Sequence, residues 1–256
     1  MDLSVICPVY NNTDNMLPMM ASFQLQDIGD YEVEYIFVCN GCTDNSREVV
    51  QKMTELFPQT FKNNIIINVD FADTGIARQI GVNNAKGDYI LFCDMDDWLL
   101  SRTMFKELLD YTKIAPNSVI HFYIDCPEKD WFFIRDDNLT YMTYWRLKHI
   151  MTCTVWQYLF PRQIFERISF KPNKNGEDDL FLTNDMKALV RSGDIEFYDV
   201  NKEYYFWDAM NPKSYSYKDI TTSNTMLTKE QFLEEIDKAD KSKFTRETIE
   251  ALQNLL

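Results

Sequence analysis

The strongest constraint on the fold is the rhythm of the first hundred residues, where short apolar runs alternate with amphipathic stretches of helical length. Leu3 to Val9 is a short apolar run ended by Pro8 and the polar cluster Asn11-Asn12-Thr13-Asp14. Thr13 or Asp14 is positioned to cap a helix running to about Gln26. Glu32 to Val38 reads as the next strand, followed by the turn Asn40-Gly41-Cys42-Thr43-Asp44 and a helix from Ser46 to Phe57, stopped by Pro58. Ile65 to Val69 is a third strand, Gly75 to Asn84 a helix, and Tyr89 to Cys93 a fourth strand. Strands separated by helices of this length predict right-handed crossovers on a parallel sheet.

Beyond residue 100 the rhythm loosens. A helix is expected over Arg102 to Thr112, strands over Val119 to Ile124 and Trp131 to Ile134, and an aromatic, β-branched stretch over Thr152 to Phe160 that Pro161 stops. Asp178 to Arg191 reads as a helix, and Ile195 to Tyr198 and Tyr204 to Trp207 as two strands. Two amphipathic stretches follow Thr228. The expectation is a mixed α/β domain with a small helical C-terminal appendage.

Charge narrows the partners. Forty acidic against 26 basic residues give a net charge of −14. That excess repels phosphate backbones and argues against nucleic acid as a partner. Six cysteines in 256 residues are too few for a disulfide scaffold, and the lone Cys39-x-x-Cys42 has no second pair at zinc-ligand spacing. No run approaches the roughly 20 apolar residues of a membrane helix. The first residues lack the basic segment of a secretory signal. A cytoplasmic protein is expected, with peripheral attachment to the inner face of the plasma membrane left open.

Ligands of open parallel α/β sheets bind beyond the carboxyl ends of the strands. Those ends here are Pro8-Val9-Tyr10-Asn11-Asn12, Asn40 to Asp44, Asp70 to Asp73, and Asp94-Met95-Asp96-Asp97. The last is the sharpest: carboxylates two apart at a strand end suit a hard divalent cation that keeps its other positions for water and phosphate. A second acidic cluster, Gly176-Glu177-Asp178-Asp179, precedes an apolar helical stretch. It reads either as helix-start charge or as a carboxylate aimed into a cleft as general base.

Further strings accompany these clusters. They are Ser4-Val5-Ile6-Cys7-Pro8-Val9-Tyr10-Asn11, Cys39 to Ser46, Ala77-Arg78-Gln79-Ile80-Gly81 with Ala85-Lys86-Gly87-Asp88-Tyr89-Ile90, and Trp156 to Arg162. With Asp94-Met95-Asp96-Asp97 and Glu177-Asp178 with Phe181, and in this order, they resemble the inverting glycosyltransferases of family 2, which have the GT-A fold. The resemblance covers roughly residues 3 to 208. It implies a Rossmann-like, mixed but mostly parallel sheet flanked by helices. The domain would span 1–210, with a nucleotide-sugar-binding half over 1–100, an acceptor-side half over 101–210, and the helical appendage over 211–256.

The resemblance also implies roles. Pro8, Val9, Tyr10, Asn40 and Gly41 would line the pocket for the donor base, and Arg78 would sit near the base or diphosphate. Asp94 would reach the ribose, with Met95 beside it, and Asp96, with Asp94, would hold Mn²⁺ or Mg²⁺ on the diphosphate. Asp178 would be the base for the acceptor hydroxyl, with Glu177 beside it. On aromatic character alone, Trp98 and Trp156 are acceptor-side candidates and Tyr204, Tyr205 and Trp207 further stacking candidates, with core or rim packing an equal alternative for all five. Plainer alternatives stand beside these: Tyr10 as a core aromatic, Asn40 as a turn former, Arg78 as a surface ion-pair partner.

The chain departs from the family pattern where Cys39, Asn40 and Cys42 replace two acids and a serine, and where Gln79 replaces an asparagine. An amide both donates and accepts where a carboxylate only accepts, so the base stays open, with UDP favoured. The implied activity is transfer of a sugar from a nucleotide-diphospho-sugar to a glycan or lipid-linked glycan, in surface polysaccharide or glycoconjugate assembly. Two alternatives are a non-catalytic nucleotide or glycan binding module of the same fold and a sugar-nucleotide pyrophosphorylase. The latter lacks its glycine-rich phosphate loop here. For the C-terminal stretches, a homodimer seam is preferred over an acceptor cover or a membrane contact.

Overall fold

A computed structural model describes residues 1–125, 132–134, 142–144, 155–172, 184–208, 211 and 226–227. They fall into two compact units, one drawn from Met1–Ile124 and Cys153–Trp207, the other from Asp125–Thr152 and Asp208–Leu256.

The first unit opens as the rhythm predicts. Strand β1 (Leu3–Val9), helix α1 (Leu17–Gln24), β2 (Val33–Asn40), α2 (Ser46–Leu56), β3 (Asn64–Val69), α3 (Thr74–Asn84) and β4 (Tyr89–Phe92) follow in turn. β5 (Trp98–Leu99), α4 (Met104–Ile114) and β6 (Val119–Asp125) come next, then β9 (Tyr158–Pro161), α5 (Asn184–Ser192) and β10 (Phe197–Phe206). One eight-stranded sheet runs in the order β3-β2-β1-β4-β9-β6-β10-β5. β1 pairs in parallel with β2 and β4, and β2 with β3. β9 is antiparallel to both its neighbours, and β5 to β10. The sheet is therefore mixed but mostly parallel on its first side, as expected. The second unit holds a three-stranded sheet, β11-β7-β8, from Met226–Leu227, Phe132–Ile134 and Met142–Tyr144.

Both faces of the central strands are covered, which is why they read as continuous apolar runs. Along β2 the period of two sends Ile36 and Val38 into a cluster with Ile6, Ala77, Phe92 and Phe160. Tyr35 and Phe37 go to the other face, among Phe23, Phe61 and Phe105, with ring centroids 4.9–6.5 Å apart. α3 lies close on β1 because Gly81 has no side chain: a Cβ there would come within 2.3 Å of Ile6 Cγ2.

Three local readings need correction. α1 begins at Leu17, after the expected Thr13 or Asp14, because Thr13 Oγ1 donates to Asp44 Oδ2 at 2.7 Å instead of capping. Pro161 closes β9 from inside, paired opposite Tyr89. A single ten-residue strand, β10, replaces the two expected at its ends, with Asn201, Lys202 and Glu203 exposed along its middle. The helix start at Asp178, the beginning of the Thr152 stretch and the tail beyond Thr228 lie outside the described residues, apart from α5 itself.

Candidate active site

The carboxyl ends of β1, β2 and β4 and the start of α3 meet at one edge of the sheet, because β1 lies between β2 and β4 and all three run the same way. At the end of β1, Pro8 and Val9 are buried in the strand and Tyr10 stands 52% exposed, which excludes a core role for it. Asn11 takes a positive φ of 46° and its Oδ1 accepts from Thr43 N at 2.8 Å, locking this turn to the neighbouring one. Asp44 accepts from Thr13 and Ser46, and these bonds overcome its partial burial to hold its carboxyl below the usual range.

At the end of β2, Asn40 is buried and its Oδ1 accepts from Asp73 N at 2.9 Å. Asp73 in turn caps α3, accepting from Ile76 N at 2.9 Å. Asn40 therefore does more than form a turn: its side chain ties the second strand to the third helix. Gly41 takes φ 67° with the Phe71 carbonyl carbon 2.8 Å from where a Cβ would sit, so only glycine fits.

α3 directs Arg78 inward. Its side chain is fully buried, and Nη2 donates to Asp94 Oδ1 at 2.7 Å. The surface ion-pair alternative is thereby excluded. Asp94 keeps 23% exposure, Met95 is buried, and Asp96 is half-buried. Asp97 is buried beneath them and accepts from Tyr205 Oη at 2.7 Å. The same hydroxyl accepts from Asp94 N at 3.0 Å. Burial, with Asp97 and Asp94 alongside, pushes the Tyr205 phenol well up, so it remains a donor.

Tyr205 is the residue that motif reading misses as a holder of this loop. It comes from β10, more than a hundred residues downstream, and its only sequence signal is membership of an aromatic run. Trp156 and Tyr205 stack at 5.1 Å and 14°, with Trp207 6.2 Å beyond, and Trp98 stacks on Phe206 at 4.0 Å. Tyr204 is buried, bonded through its hydroxyl to Glu107. These aromatic rings thus pack on one another or inside the unit. Glu177 and Asp178 lie outside the described residues.

Among the described residues no group of three acidic, histidine or cysteine side chains forms a metal cage. Mg²⁺ and Mn²⁺ on a diphosphate need no such cage, since one or two carboxylates with phosphate and water oxygens suffice. The half-buried Asp96 beside the partly exposed Asp94 fits that requirement in number and kind. Nor is any described helix long and apolar enough to cross a membrane.

Comparison with known proteins agrees with this geometry. Residues 4–171 match glycosyl transferase family 2. The glycosyltransferase GlyA of Streptococcus pneumoniae is 25% identical over 191 residues, covering 69% of this chain and 27% of that protein. The poly(ribitol-phosphate) β-N-acetylglucosaminyltransferase TarS of Staphylococcus aureus is 28% identical over 109 residues, covering 41% of this chain and 18% of that protein. The chain thus spans under a third of the length of these two relatives. Among solved structures, TarS 1–349 with UDP-GlcNAc superposes with a TM-score of 0.65 at 18% identity, covering 91% of this chain and 64% of that one. The mannosyltransferase PcManGT of Pyrobaculum calidifontis, with GDP-Man and Mn²⁺, superposes with a TM-score of 0.66 at 15% identity, covering 99% and 69%. The fold is GT-A.

Proposed function

The chain belongs to glycosyl transferase family 2, and on that premise we propose that it transfers a sugar, with inversion, from a nucleotide-diphospho-sugar to an acceptor hydroxyl in cell-surface polysaccharide assembly. The observation that carries this reading is the pair of buried Arg78 with partly exposed Asp94, beside the half-buried Asp96 at the carboxyl edge of the sheet. Relatives named as poly(ribitol-phosphate) glycosyltransferases and as a minor teichoic acid biosynthesis protein support the acceptor class. UDP is the favoured base carrier, since TarS binds UDP-GlcNAc and UDP.

In this reading the base lies against Tyr10 and Asn40, and the Arg78 pair fixes where Asp94 meets the ribose. Asp96, with Asp94, would hold Mn²⁺ or Mg²⁺. The chemistry such a cation supplies when bound is neutralisation of charge on the departing diphosphate. That leaves the chain one proton to manage. Asp178 takes it from the acceptor hydroxyl as the oxygen attacks the anomeric carbon and the bond to the diphosphate breaks on the opposite face. Glu177 supports its geometry.

Thermal unfolding with UDP, GDP, CMP and dTDP, each with and without Mn²⁺, tests the donor site. A ligand at about 100 times its Kd adds roughly 2.7 kcal/mol, a rise of roughly 5–11 °C for a chain this long. The expected result is a Mn²⁺-dependent rise with UDP that Asp96→Ala abolishes; no rise with any nucleotide overturns the donor reading. For the chemistry, Asp178→Asn lowers turnover roughly 10²–10⁴-fold while the nucleotide rise survives. Near-normal turnover in that variant removes Asp178 from the mechanism.

A further inference from the structure

Among the described residues, β3 ends the eight-stranded sheet. Sheet edges are commonly blunted by lysine, proline or bulges. Asn63 to Val69 contains no charge, proline or glycine, and its register with β2 is unbroken. Ile65, Ile66 and Ile67 in its middle are only half-buried. Tyr35 N donates to Asn63 O and Gly41 N to Val69 O, each at 2.9 Å. A residue in a parallel ladder turns its N–H and C=O to the same side. Asn63, Ile65, Ile67 and Val69 therefore serve β2, and Asn64, Ile66 and Asn68 present theirs outward. The same three residues share a groove of about 440 Å³ with Arg47, Gln51 and Glu55 of α2.

This edge is self-complementary about Ile66. A two-fold axis through that residue, perpendicular to the sheet, sets Asn64 opposite Asn68 of a second copy and Ile65 opposite Ile67. Each outward N–H then meets an outward C=O. The exposed Lys62 and Asp70 flank the strand at equal distances in sequence from Ile66, so the same axis brings lysine to aspartate at both ends. On α2, the exposed Arg47 and Glu55 stand equally far in sequence from Gln51. About 12 Å of helix separates them, against about 13 Å of strand between Asn64 and Asn68. The axis therefore also faces arginine with glutamate. The chain as a whole carries −14 and repels its own copies, whereas these four charges each find an opposite.

We propose that β3 is a homodimer edge: two copies pair antiparallel about Ile66, and one continuous sheet runs across both chains. Two-fold pairing of this kind closes at two copies and leaves no further β3 edge open.

Sedimentation velocity of the full chain, from micromolar to hundreds of micromolar, tests the seam. The expected result is a reversible equilibrium between the 30.4 kDa chain and a species of twice that mass. Lys62→Asp sets two acids opposite one another at each end and should weaken dimerisation roughly 5–30-fold. Asp70→Lys should do the same with two bases, and the double substitution should restore the dimer. Both positions are exposed, and thermal unfolding checks that each variant folds. Hydrogen exchange gives a second reading: the amides of Asn64, Ile66 and Asn68 should slow as the dimer fills. A chain monomeric throughout, a dimer indifferent to both single substitutions, or growth beyond two copies overturns the proposal. So does slow exchange at these amides in the monomer, which would mean that another segment of the chain already covers the edge.

Discussion

The two ends of the parallel strands use buried carboxylates in opposite ways. At the amino end, Glu34 is 3% exposed, and its Oε1 accepts from Ser4 Oγ at 2.6 Å, Lys86 N at 2.6 Å and Gly87 N at 3.3 Å. Its partners are two backbone amides from the loop before β4 and the hydroxyl of Ser4 on β1, so this acid closes the structure. Gly87 completes the seal, since a Cβ there would lie 2.5 Å from Ser4 N. At the carboxyl end, Asp94 and Asp97 are held by side chains, Arg78 from α3 and Tyr205 from β10. The loop keeps its shape without enclosing its acids, and Asp94 and Asp96 remain partly accessible. Burial alone does not distinguish the settings of these acids; the kind of partner, main-chain amide or side chain, does.

That contrast can be broken by substitution. Glu34→Ala leaves Ser4 Oγ and Lys86 N without their acceptor, while Gly87 N keeps its 2.8 Å bond to Ser4 Oγ, at a cost of about 3 kcal/mol, seen as a fall in Tm of roughly 6–12 °C. The nucleotide-induced rise should remain, and its loss in a folded Glu34→Ala protein would mean that the two ends are not independent. Tyr205→Phe removes one hydroxyl from beneath the acidic loop, at about 1–2 kcal/mol. Here the expectation is reversed in kind: a smaller fall in Tm, accompanied by weaker Mn²⁺-dependent nucleotide binding. An unchanged midpoint for nucleotide would reduce Tyr205 to packing.

Glu107 belongs to neither end and serves as the reference. It accepts from Lys202 Nζ at 2.5 Å and from Thr103 and Tyr204. Burial opposes ionisation, but these bonds prevail and hold its carboxyl down at about 2. Its stabilising effect is present above the ordinary carboxylate value and is lost as pH falls through about 2. Glu107→Gln should therefore lower stability by about 1 kcal/mol at pH 7, and the gap from the unsubstituted chain should narrow in denaturant titrations between pH 4.5 and pH 2. A constant gap would show that the ion pair is not its source.

The legibility of the fold follows the direction of the strands. In β1 to β4 all strands point the same way, so the residue after each strand falls on one edge, and Tyr10, Asn40 and Asp94 could be grouped by reading strand ends in order. β9 runs against both its neighbours and β5 against β10, and no strand-end rule says where a side chain arrives there. Sugar stacking and core packing stood level for Tyr205 and Trp156 for that reason, and the structure has both buried and stacked on each other. The two-residue β5 carries too little period-two pattern to be seen at all.

What the sequence alone determined is the local and the periodic. It set the alternation that makes the parallel half, the glycine that Gly41's positive φ requires, and the order of motifs that places the chain in its family. The tertiary structure decided which polar groups meet. Asn40 bonds to Asp73, Arg78 to Asp94 and Tyr205 to Asp97, across 33, 16 and 108 residues. Such pairings depend on where the sheet brings distant backbone together, and a buried polar group is stable only with the partner that packing supplies. No composition or spacing in the chain carries that information.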